Sequence, residues 1–61
     1  MDNETRIKRA ISALEFYSNE DDDLSSNTID LLTDLMHLCK RQEIEFQRCL
    51  LVAEVNFEAE K

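Results

Sequence analysis

The sequence predicts an all-α protein, a small helical hairpin or three-helix domain that forms homo-oligomers, and three observations carry that expectation. None of the 61 residues is glycine or proline. The chain therefore has no residue that takes φ > 0 without cost, as tight strand-to-strand turns require, and no fixed break of a helix interior. Good helix formers supply much of the chain, and no stretch alternates apolar and polar residues over the length of a strand. Apolar residues instead recur at intervals of three and four in three separate segments. A chain of this length forms one domain, 1–61, and buries a smaller fraction of its surface than a larger domain does. Two cysteines and one histidine offer little to staple it with disulfides or a structural metal. Self-association is the remaining common source of stability, at roughly 25 cal/mol per Å² of apolar surface removed from water.

The first helix is expected over about residues 4–18. Ile7, Ala10, Ile11, Leu14 and Tyr17 form its apolar stripe, with Asp2 or Asn3 as cap. Arg6, Lys8 and Arg9 near its start and Glu15 near its end all oppose the helix dipole, so packing must hold it. Phe16 falls opposite the stripe, as a plug facing the loop or an exposed aromatic contact. Residues 19–26 read as an acidic connector containing Glu20, Asp21, Asp22 and Asp23. Ser26 or Asn27 then offers an N-cap to a second helix, about 28–40, in which Ile29, Leu31, Leu32, Leu35, Met36, Leu38 and Cys39 cover about half of the circumference. An arc that wide needs two neighbours. After the polar Lys40-Arg41-Gln42-Glu43, a third helix of about 44–60 carries Ile44, Phe46, Cys49, Leu50, Ala53 and Phe57. The alternative is the first helix packed on one continuous helix over 28–60, a rod of about 50 Å at 1.5 Å per residue. The compact arrangement is favoured, because the rod would expose too much apolar surface. Leu31, Leu35, Leu38, Phe46, Leu50 and Phe57 are the residues expected to form the core or the self-association surface.

Fourteen acidic and seven basic side chains give a formal charge of −7. That charge argues against direct binding to nucleic acid or an anionic membrane surface and favours a protein partner with a basic surface. No apolar run approaches the ~18 residues of a membrane span, and the start of the chain has charges where a signal peptide is apolar. A cytoplasmic protein with reduced thiols is expected.

The residues Leu31-Leu32-Thr33-Asp34-Leu35-Met36-His37-Leu38-Cys39, with Phe46, Leu50, Ala53 and the ending Phe57-Glu58-Ala59-Glu60, resemble a group of short helical proteins carried by bacteriophages, prophages and plasmids. The resemblance covers about half of the chain. It implies an origin in a mobile element, residence in a bacterial host cytoplasm and no enzymatic activity. Where those relatives have a glycine-containing turn, this chain has Glu43, which keeps the continuous helix open. No site residue carries over.

Three constellations bear on chemistry. Asp30, Asp34, His37 and Arg41 line one helical face opposite Leu32, Leu35, Met36 and Cys39; they fit a solvated ridge better than a metal site. Asn19, Asp21, Asp23, Ser25, Asn27 and Asp30 roughly follow the ligand spacing of a calcium loop, but Leu24 stands where that loop needs glycine and Asp30 where it needs a glutamate. His37 and Cys39 point about 200° apart on a helix and make no nucleophile pair. No catalytic residue, metal or cofactor is therefore expected. The acidic groups Glu20, Asp21, Asp22, Asp23, Glu54 and Glu58 are the electrostatic candidates for contact with a host protein.

Overall fold

The computed structural model of the chain describes residues 3–17 and 23–60. Helix α1 spans Asn3–Leu14 and runs into a 3₁₀ turn, Glu15–Tyr17; α2 spans Leu24–Arg41 and α3 spans Phe46–Glu60. No strand is present among the described residues. The expected all-α, three-helix architecture is the observed one, and the continuous rod over 28–60 is not.

The end of α1 tightens into the 3₁₀ turn where Tyr17 reaches α2: its hydroxyl donates to Asp34 Oδ2 at 2.6 Å. Ser18, taken as the last residue of the first helix, lies outside the described residues, as does the first half of the acidic connector, residues 19–22.

Helix α2 begins four residues earlier than the sequence suggests. Asp23 is its N-cap, in an extended conformation (φ −94°, ψ 172°). The Ser26 amide donates to Asp23 Oδ1 at 2.7 Å, and the Asn27 amide closes the first helical turn on the Asp23 carbonyl at 3.1 Å. Ser26 and Asn27, expected as the cap, are helical residues instead. A carboxylate is the better cap here, because it accepts from a free amide and also meets the positive end of the helix dipole. Thr28 and Thr33 satisfy their hydroxyls by donating back to the Leu24 and Ile29 carbonyls at 2.8 and 2.9 Å.

Helix α2 ends without glycine. Gln42 is its C-cap, and Glu43 stands in the left-handed region at φ 60°. The Glu43 amide donates to the Lys40 carbonyl at 3.3 Å and the Ile44 amide to the Cys39 carbonyl at 2.8 Å. These are the 5→2 and 6→1 bonds of a Schellman motif, which satisfies carbonyls that the helix end would leave free. The same motif reverses the chain, so α3 turns back onto α2 where a rod would have continued.

Both α1 and α3 pack against α2. The open side between them is tied at the ends, where Arg6 makes a two-pronged ion pair with Glu60; its Nη2 donates to Oε2 at 2.8 Å. The assembly is a slab of 33 × 30 × 14 Å. Its radius of gyration is 12.9 Å, against about 10.5 Å expected for a compact domain of this length. Among the described residues no apolar side chain is buried; Ala13, Leu14, Tyr17, Leu31, Cys39 and Phe46 are half-buried and mark where the three elements meet.

Candidate interaction surfaces

The fold leaves much of its apolar content uncovered. Leu31 and Phe46 are half-buried at the helix junctions, whereas Leu35 and Leu50 are exposed, and Leu38 and Phe57 more so. Phe57 lies beside Ile7 and Ala53 in a cleft between α1 and α3, closed at its rim by the Arg6–Glu60 pair. That pair holds the Glu60 carboxyl below the usual carboxylate range, chiefly through the hydrogen bond from Arg6.

Of the acidic candidates, Glu20, Asp21 and Asp22 lie outside the described residues. Asp23 is exposed, but its carboxylate is engaged in capping α2, and the Ser26 amide lowers its pKa. Glu54 and Glu58 are exposed on α3. Asp23 thus sits at the start of α2, whereas Glu54 and Glu58 border the apolar surface of the last helix.

The ridge of Asp30, Asp34, His37 and Arg41 is not a uniformly solvated face, because Asp34 receives Tyr17 and so anchors the end of α1. The hydrogen bond to Asp34 also raises the Tyr17 pKa, since it stabilises the protonated phenol. Helix α2 already begins at Leu24, so Ser25, Asn27 and Asp30 take helical positions and do not curl into a calcium-binding loop. Among the described residues no group of three or more His, Cys, Asp or Glu side chains is placed to share a metal ion. His37 and Cys39 both border a shallow apolar groove at the α2–α3 corner, with no hydrogen bond recorded between them.

Two features were not anticipated by the sequence: the burial of Asn27 and an outward apolar stripe on α3. Asn27 is only 7% exposed, and its Oδ1 has no hydrogen-bond partner among the described residues. Starting α2 at Leu24 is what brings it onto the same face as Leu31, Leu35 and Cys39, four residues apart in succession. The second feature is an outward stripe on α3. Leu51, Val52 and Val55 are 61%, 51% and 62% exposed, on the side of the helix away from Phe46, Leu50 and Ala53. The run Leu50-Leu51-Val52 carries the signal: adjacent apolar residues cannot share one narrow helical face.

Phe16 is 91% exposed, so its ring is not buried as a plug. No helix among the described residues is long and apolar enough to cross a membrane. Compared with known proteins, the chain matches no family model, no curated protein and no solved structure.

Proposed function

We propose that this chain is a non-enzymatic protein-binding module of phage or other mobile-element origin, which binds and inhibits a host protein such as a defence nuclease or a nucleic-acid-binding complex. The observation that carries the reading is Phe16, almost fully exposed and only a few residues ahead of the run Glu20-Asp21-Asp22-Asp23. An aromatic anchor followed within a few residues of sequence by concentrated negative charge suits a basic protein surface: the ring supplies buried area, and the carboxylates supply steering and register. The same charges can stand in for phosphates and occlude a nucleic-acid groove.

The test is capture of host proteins from bacterial lysate by the tagged full chain, compared with a variant carrying Phe16→Ala, Asp21→Lys and Asp22→Lys. Asp23 is left intact because it caps α2. A host nuclease or nucleic-acid-binding protein captured in stoichiometric amount by the wild type, and lost with the variant, supports the reading. Equal capture by both, unchanged by salt, would remove Phe16 and the acidic run from it.

A second reading, in which self-association is itself the function, is favoured by the outward apolar stripe on α3. The expected core residues Leu35, Leu38, Leu50 and Phe57 retain exposed surface that further copies of the chain could cover.

A further inference from the structure

We propose that the outer face of α3 pairs antiparallel with the same face of a second copy of the chain, about a two-fold axis level with Ala53. This rests on the self-association reading and gives it a surface and a register; the host-partner reading stands or falls separately.

Along the outer face, Arg48, Leu51, Val55 and Glu58 follow one another at intervals of three, four and three, the spacing of a helix–helix seam. All four are exposed. The order is charge, apolar, apolar, opposite charge, and it is symmetric in position about residue 53. When the helix is laid antiparallel on its own copy, Leu51 faces the second copy's Val55 and Arg48 faces the second copy's Glu58, each contact occurring twice. Such self-complementarity is what an isologous two-fold interface requires. A carboxylate has acceptor sites enough for Glu58 to meet Arg48 alongside interactions within its own chain. Val52 flanks the seam and widens its apolar strip.

Surface area gives an independent reason for a second copy. The chain exposes 5514 Å². A compact folded monomer of its 7.2 kDa would expose about 4,100 Å², which leaves an excess of about 1,400 Å². A stable interface covers about 800 Å² on each partner, so a single two-fold contact falls within what this fold leaves uncovered. An exposed stripe on α2, Ile29, Leu32 and Met36, has Lys40 on its side of the helix and no acid of α2 to answer it. Of these two faces, the one on α3 presents both signs of charge in a register that matches itself.

The experiment is sedimentation equilibrium of the full chain from low to high micromolar concentration, with circular dichroism to confirm helicity. The wild type is expected to reach twice the chain mass. Arg48→Glu and Glu58→Arg are each expected to raise the dissociation constant about tenfold or more, since each sets two facing pairs in repulsion. The double variant, in which the charges answer one another again, is expected to recover the dimer. That recovery separates a lost contact from a lost fold. A wild type that stays monomeric overturns the proposal, as does a dimer that neither reversal weakens. Loss in both single variants without recovery in the double variant overturns the register and with it the proposal.

Discussion

Glu43→Gly should stabilise the protein. Glu43 occupies the left-handed position of the Schellman motif at φ 60°, where a side chain brings Cβ against the following carbonyl. For an L-residue that conformation costs roughly 1–2 kcal/mol. Glycine removes the clash but gives the unfolded chain more freedom, which returns roughly 0.4–1 kcal/mol of the gain. The net expectation is a stabilisation of about 0.5–1 kcal/mol, or about 2–8 °C in Tm for a domain of this size. The assay is thermal unfolding followed by far-ultraviolet circular dichroism. Protein concentration must be held equal, because association would shift the midpoint by mass action. Glu43→Ala is the control: alanine meets the same left-handed cost as glutamate and is the better helix former. If glycine stabilises and alanine does not, the strained turn is the cause. If alanine matches or exceeds glycine, the reasoning fails, and the chain is gaining from helix propensity across a turn it does not need.

Asp23→Ala should lower Tm by several degrees and speed exchange of the Ser26 amide while leaving α3 unchanged, which amide hydrogen exchange would read directly. Asn27→Leu should raise stability by about 1 kcal/mol, because it replaces a buried acceptor that has no partner among the described residues with an apolar group of similar volume; urea unfolding at fixed concentration checks it. Two carboxylates, Asp23 and Glu60, have lowered pKa values, so the stability they contribute is present above the ordinary carboxylate range of about 4 and is lost as pH falls below it. Tyr17 behaves in the opposite sense: with a raised pKa its contribution is present below about pH 10 and is lost as pH rises through that value and beyond, so Tyr17→Phe should flatten the alkaline limb of a stability–pH curve.

The helical class and the three apolar stripes were legible because they depend on local quantities: periodicity, propensity and the absence of glycine and proline. The start of α2 was misplaced because Asp23, Ser26 and Asn27 are all competent caps, and local chemistry does not rank them once packing adds a turn. The turn after α2 was legible only as a choice. Lys40-Arg41-Gln42-Glu43 interrupts the stripe, yet glutamate is a poor signal for a left-handed residue, and packing of α3 on α2 has to offset its strain. Phe46 and Leu31 are half-buried where the helices meet. The α3 stripe was missed for a different reason: a single-face reading accounts for Leu50, Ala53 and Phe57 and leaves Leu51, Val52 and Val55 without a role. The ridge containing Asp34 looked solvated because the approach of Tyr17 is a tertiary contact between residues seventeen positions apart.

Among the described residues, the three helices form without closing around a buried apolar core. The chain's apolar residues line a cleft, a corner groove and two outward stripes, and its negative charge opposes casual association. Under the dimer proposal a second copy of the chain covers part of that surface, and raised salt should favour the pair by screening the repulsion between like-charged copies. The most direct test is thermal unfolding of the purified chain across a wide range of protein concentration at moderate salt. A Tm that rises with concentration, in parallel with a doubling of sedimented mass, is the predicted result. A sharp transition at one temperature whatever the concentration, from a species that remains a monomer, would contradict it.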